Sequence, residues 1–154
     1  MLQKPTNELD DILEKTKPEQ LDKYLKENRK YLADERKAFY YFVKDVLDAK
    51  RIRLKDVYLR AGLSESFGGK IVRMEKHVAD RNLILRICLA GRFGLLETNR
   101  ALKLYGMSEL YAKEPRDACV IVAISNRIFD VYEVDAMLKE HGLEGLLGKA
   151  CTAV

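Results

Sequence analysis

The residues with the clearest chemical use are basic and crowded together. Between Lys50 and Arg86 stand ten lysines and arginines against four acids, so this window carries +6 while the whole chain carries +4. Lys55, Arg60, Lys70, Arg73 and Lys76 lie within it. Such side chains neutralise phosphates, and a basic patch confined to one segment is the electrostatic footprint of phosphate binding. A solvated face of mixed charge is the bland alternative. Other chemistries find less support. Cys88, Cys119 and Cys151 are odd in number and lack close spacing, which argues against a disulfide framework and a zinc site. The apolar runs around Cys88 and Cys119 mark them as buried, inert thiols. His77 and His141 have no partner at metal-ligand spacing. Gly68-Gly69-Lys70 lacks the earlier glycine and the following hydroxyl of a phosphate-cradling loop. Glu133 and Asp135, two apart on a helix, face different directions. The expectation is a protein that is not an enzyme and uses no cofactor and no metal.

The elements that must position these residues are helices. Prolines occur only at positions 5, 18 and 115, glycine is sparse before Gly62, and no period-2 alternation lasts long enough for a sheet. A weak helix is expected around Glu8–Lys15. Thr16-Lys17-Pro18-Glu19 reads as a capping box opening the next helix. Along that helix Leu21, Tyr24, Leu25, Asn28, Tyr31 and Leu32 form one apolar stripe. A further helix is expected over about Asp34–Ala49, burying Phe39, Phe42, Val43, Val46 and Leu47. Short helices at about 54–61 and 65–74 follow, and then one at about Ala79–Ala90.

The segment LKDVYLRAGLSESFGGKIVRMEK, residues 54–76, has the spacing of two helices joined by an abrupt turn. Ala61 is small where the helices come close. Gly62 permits positive φ, Leu63 plugs the gap, and Ser64 caps the second helix. Ile71 then faces inward, toward Val57 and Leu63. An ordinary helical hairpin would have many of the same features.

The last third repeats itself at an interval of 36 residues. Phe93 matches Phe129, Glu97 Glu133, Asn99 Asp135, Leu102 Leu138, Lys103 Lys139, Tyr105 His141 and Gly106 Gly142, with Leu83-Ile84-Leu85 against Cys119-Val120-Ile121. Each unit reads as an apolar helix, a short turn, an amphipathic helix and a terminal glycine. Two such hairpins can stack and bury each other's faces.

The stretch from about Leu54 to Leu96 resembles the phage-repressor-type (Cro/CI, XRE-like) helix-turn-helix family. The fitting residues are Ala61-Gly62-Leu63-Ser64, Phe67, Ile71, Arg73 and Leu83-Ile84. The wider span over residues 20–147 is similar to a Firmicutes-type subgroup, in which a second helical hairpin follows the repressor-like domain. The resemblance implies an all-α, repressor-like helix-turn-helix bundle with an N-terminal helix and a C-terminal repeated α-hairpin. Its divisions are an arm at 1–33, the helix-turn-helix domain at 34–106, a hairpin packed on it at 107–147 and a tail at 148–154. It further implies that Glu65, Ser66, Gly68, Gly69 and Lys70 enter the major groove. Ser64 caps that helix. Arg73 and Lys76 then face backbone phosphates, with Arg60 and Lys55 flanking. The chain departs from the family pattern in three ways, the first being Glu65, an acid close to where the phosphates would lie. Gly68-Gly69 removes side chains where base edges are read, and Met74 and Val78 stand where the family has glycine and proline.

The expected function is therefore a DNA-binding protein, a transcriptional regulator that grips duplex DNA through the helix at about 65–74. The alternative is a protein–protein interaction module on a degenerate repressor-like fold, with a protein partner or a second copy of the chain in place of DNA. No apolar run approaches the roughly 18–20 residues that span a bilayer. The opening MLQKPTNELDD holds no apolar signal region, so a cytoplasmic protein without membrane contact is expected.

Overall fold

The computed structural model describes residues 6–28 and 37–147. All regular structure among these residues is helical. They fall into two compact units, divided between residues 35 and 36.

The first unit holds α1 (Thr6–Glu14) and α2 (Leu21–Glu27), with a 3-10 turn at Pro18–Gln20 leading into α2. Pro18 takes the first-turn place expected of it, but the cap differs from the Thr16–Glu19 box. The Lys17 N–H donates to Gln20 Oε1 at 3.1 Å. The Thr16 hydroxyl instead donates backward to the Ile12 carbonyl at 2.7 Å, because a short β-hydroxyl reaches the carbonyl four residues before it. Thr16 thus closes α1 and does not open α2. The expected stripe residues Tyr31 and Leu32, the helix start at Asp34, and the tail at 148–154 with Cys151 lie outside the described residues.

The second unit begins with α3 (Ala38–Lys50), which buries Phe39, Val43, Val46 and Leu47 at helical spacing. It continues with α4 (Leu54–Ala61), α5 (Glu65–Val72), α6 (Arg81–Ala90), α7 (Leu95–Leu104), α8 (Pro115–Ser125) and α9 (Val131–Glu140). The helix α6 is central: every residue from Leu83 to Ala90 is buried. It lies most closely on α4 and also meets α7 and α9. A helix buried on all sides needs apolar residues all round. In α6 they are Leu83, Ile84, Leu85, Ile87, Cys88, Leu89 and Ala90. Burial drives the Cys88 thiol far above its ordinary value and keeps it inert.

The exception on α6 is Arg86, which is 2% exposed. Its Nε donates to the Ala61 carbonyl at 2.9 Å and its Nη2 to the Gly62 carbonyl at 3.3 Å. These carbonyls belong to the C-terminal end of α4, where helical partners run out and a cation is electrostatically favoured.

A second arginine ties α6 to α8. Arg81 grips Asp117 with two bonds of 2.6 and 3.0 Å and also donates to the carbonyls of Ser108 and Glu109. The Asp117 carboxylate, itself buried, accepts the Tyr111 N–H as well. Arg81 and Arg86, two of the ten cations in the basic window, are therefore structural.

Two side chains on α7 and α9 hold the segments that follow those helices. Asn99 Oδ1 accepts from the Leu110 N–H at 2.9 Å, and Asp135 Oδ1 accepts from the Leu147 N–H at 3.0 Å. Burial pushes the Asp135 carboxyl up, but the Leu147 N–H and the Lys139 ammonium at 3.0 Å more than offset this. The carboxyl therefore sits below its ordinary value.

Two outcomes follow from these anchors. Arg86→Met strips two carbonyls of a charged donor and should lower stability by about 2–3 kcal/mol in urea denaturation. Asp135, with its folded value depressed, contributes stability that is complete above its unfolded value and is lost as pH falls through the folded one. Wild type should lose Tm more steeply than Asp135→Asn between about pH 4 and about pH 2. Parallel pH profiles would remove this anchor from the account.

Candidate functional site

The site is built on the turn between α4 and α5. Gly62 takes φ +73°, the left-handed conformation that ends a helix cheaply only in glycine. The Leu63 N–H then reaches back to the Tyr58 carbonyl at 2.9 Å, and the Leu63 side chain is buried. Ser64 is extended and its Oγ accepts the Phe67 N–H at 3.1 Å. The roles expected for Gly62, Leu63 and Ser64 are those observed, and Ile71 is fully buried.

From this start α5 projects an exposed stripe. Glu65, Ser66, Lys70 and Arg73 are all exposed, with Ser66, Lys70 and Arg73 at i, i+4 and i+7. Lys76 is drawn to the same helix: its ammonium lies 5.2 Å from the Phe67 ring centre. The helix ends at Val72, two residues sooner than expected, and Met74 takes φ +60° where a glycine would be favoured. After it the N–H groups of Glu75 and Lys76 both donate to the Lys70 carbonyl, at 2.9 and 3.1 Å. The chain thus folds back on the C-terminal end of α5 and gathers Lys70, Arg73 and Lys76 there.

Gly68 and Gly69 are not part of the open stripe; both are buried. The expectation that they stand as empty reading positions is corrected, and the two have different reasons to be glycine. A Cβ at Gly68 would lie 2.6 Å from Cδ1 of Tyr58, so the bare backbone of α5 forms the seat of a ring on α4. A Cβ at Gly69 would lie 2.8 Å from Nη1 of Arg73, whose guanidinium folds over that spot. Arg73 Nη2 also donates to Glu75 Oε2 at 3.2 Å, a bond that favours the charged guanidinium. Burial raises the Tyr58 phenol above its ordinary value, with the nearby Arg73 charge opposing, so the phenol stays protonated at neutral pH.

The remaining expected residues divide. Lys55 is exposed in the first turn of α4. Arg60 lines a cleft with Arg92, Arg127 and Phe129, and no bond ties it to the cations of α5. Within the basic window Lys50 pairs with Glu97, Arg53 with Asp56 and Arg73 with Glu75. The patch is narrower than its sequence count because so many of its members are engaged. The roles of two residues escaped the sequence reading. Tyr58 shapes Gly68, and its signal was its place beside Val57 on the inward face of α4. Arg86 fixes the turn from 25 residues away, and no local signal marks it.

No protein-family model matches the chain, and no curated protein and no solved structure is found similar to it.

The two glycines should respond oppositely to alanine. Gly68→Ala forces a methyl into the Tyr58 ring and should cost about 1–3 kcal/mol despite a better helix propensity. Gly69→Ala meets only the far end of a flexible side chain and should be neutral or stabilising by up to about 1 kcal/mol. Urea midpoints of both variants decide the matter, and equal losses would refute the assignment.

Proposed function

We propose that the chain is a helix-turn-helix DNA-binding protein, a regulator of transcription, that presents α5 to duplex DNA. The observation that carries this reading is the exposed stripe of Ser66 and Lys70 on α5 and Arg73 at its C-cap, with Lys76 held beside it. In this reading α4 and α5 form the helix-turn-helix of a repressor-like bundle made of α3 to α7. The pairs α6–α7 and α8–α9 are then the two copies of a repeated hairpin, and Asn99 and Asp135, 36 residues apart, each hold a backbone N–H of the segment that follows, one place out of register with each other. Lys70, Arg73 and Lys76 neutralise phosphates, while Ser66 and Glu65 at the start of α5 reach base edges. The buried glycines favour the reading, because the positions they vacate are inward and the outward ones still carry polar side chains.

A second reading rests on Glu65 and on the Arg73–Glu75 pair, which place acids on the same face. In it the stripe meets a protein surface of mixed charge, as a partner or as a second copy of the chain.

Fluorescence anisotropy on a mixed-sequence duplex separates the two. Wild type should bind at about 50 mM salt and weaken by at least about tenfold at about 200 mM. Lys70→Glu/Arg73→Glu should bind at least about tenfold more weakly and flatten the logarithmic salt dependence by about two. No binding by wild type at low salt, or unchanged binding by the variant, overturns DNA as the partner of α5.

A further inference from the structure

A second cluster of cations lies away from the α5 stripe, around Phe129. The Arg92 guanidinium is 5.1 Å and the Arg127 guanidinium 6.0 Å from the centre of that ring. Two adjoining cavities of about 470 and 520 Å³ share Arg92, Arg127 and Phe129 as a common wall. Lys50 lines the first and Arg60 the second. Three acids stand nearby. Glu97 is engaged by Lys50 at 3.1 Å and by the Gly94 N–H at 2.9 Å. Asp130 accepts the N–H groups of Tyr132 and Glu133 at 2.8 and 3.2 Å. Glu133 lines the Arg60 side. Among the described residues none of these acids forms an ion pair with Arg60, Arg92 or Arg127.

The backbone sharpens the point. Arg92 and Arg127 each stand just past the end of a helix, α6 and α8, at φ +58° and +59°. Glycine is the favoured residue in that conformation. Arg51 takes the same conformation at the end of α3, so the conformation alone marks no site; what sets Arg92 and Arg127 apart is that both lie on one aromatic ring. Cations that share the wall of one cleft and have no carboxylate partner favour an anion there, and a guanidinium fork fits phosphate oxygens in pairs.

We propose that this cleft binds a small phosphorylated ligand, its phosphate held between Arg92 and Arg127 and its remainder extending toward Lys50 or Arg60. The proposal does not depend on what α5 binds.

Pyrophosphate titrated into the whole chain at low salt, followed by calorimetry, tests the site. Wild type should bind with a Kd of about 1 mM or tighter. Arg92→Gly/Arg127→Gly should lose at least about tenfold in affinity. Its Tm should be unchanged or higher, because glycine suits both backbone positions, so loss of binding cannot be laid to loss of fold. Lys70→Glu should bind pyrophosphate as wild type does. The proposal fails if wild type shows no pyrophosphate binding, if the double variant binds equally well, or if Lys70→Glu is the variant that loses it. It also fails if the double variant weakens duplex binding while wild type ignores pyrophosphate, since the arginines would then be part of a nucleic-acid surface.

Discussion

The second unit depends on one buried guanidinium. Arg86 sits in the middle of the apolar helix α6, and its removal from water is costly unless its donors are met. They are met in part by the carbonyls of Ala61 and Gly62, where α4 has run out of helical partners. One contact thereby answers two deficits, a charge without water and carbonyls without N–H groups. It also has a direction. Because α6 is locked into the core on all sides, Arg86 holds the end of α4 at a fixed place. The turn that follows then launches α5 at a fixed angle. Close by, a Cβ at Gly62 would lie 3.1 Å from Arg86 Nη2 and 3.3 Å from the Tyr132 hydroxyl, so the turn is confined from α6 and from α9 together.

The same logic of distant partners runs down the rest of the unit. Arg81 joins α6 to Asp117 on α8, and Asp117 in turn orders Tyr111 in the connection before that helix. Arg116 extends the joint, donating to Asn82 on α6 and to the carbonyls of Glu144 and Gly145 beyond α9. Single exposed ion pairs add little, but the Arg81–Asp117 pair is largely buried and doubly bonded, and both arginines also hold backbone carbonyls. They fix orientation between helices whose apolar contacts alone would permit sliding.

What could be read in the sequence was whatever is decided locally. The positive φ of Gly62, the cap at Ser64 and the buried face of α3, apart from the half-buried Phe42, each follow from a few adjacent residues, and each was legible. The basic window was legible as composition and misleading as a surface, because Arg81 and Arg86 find partners about 25 to 36 residues away. Gly68 misled for the same reason. Its cause is the Tyr58 ring, and only the fold brings that ring to it. Thr16 shows the converse limit, a local motif with two local solutions, in which the hydroxyl chose the preceding helix.

Residues that break a local preference mark where the chain answers to something beyond its own helices. Gly68 breaks helix propensity and is repaid by Tyr58 inside the core. Arg86 breaks the apolar pattern and is answered at the end of α4. Arg51, Met74, Arg92 and Arg127 accept positive φ without being glycine. Met74 finds its compensation in packing against the core. Arg92 and Arg127 find only a shared ring, with exposed guanidinium groups and no carboxylate. Of the three arginines at positive φ in this unit, these are the two that line one cleft around one ring, and the charge that suits them is negative.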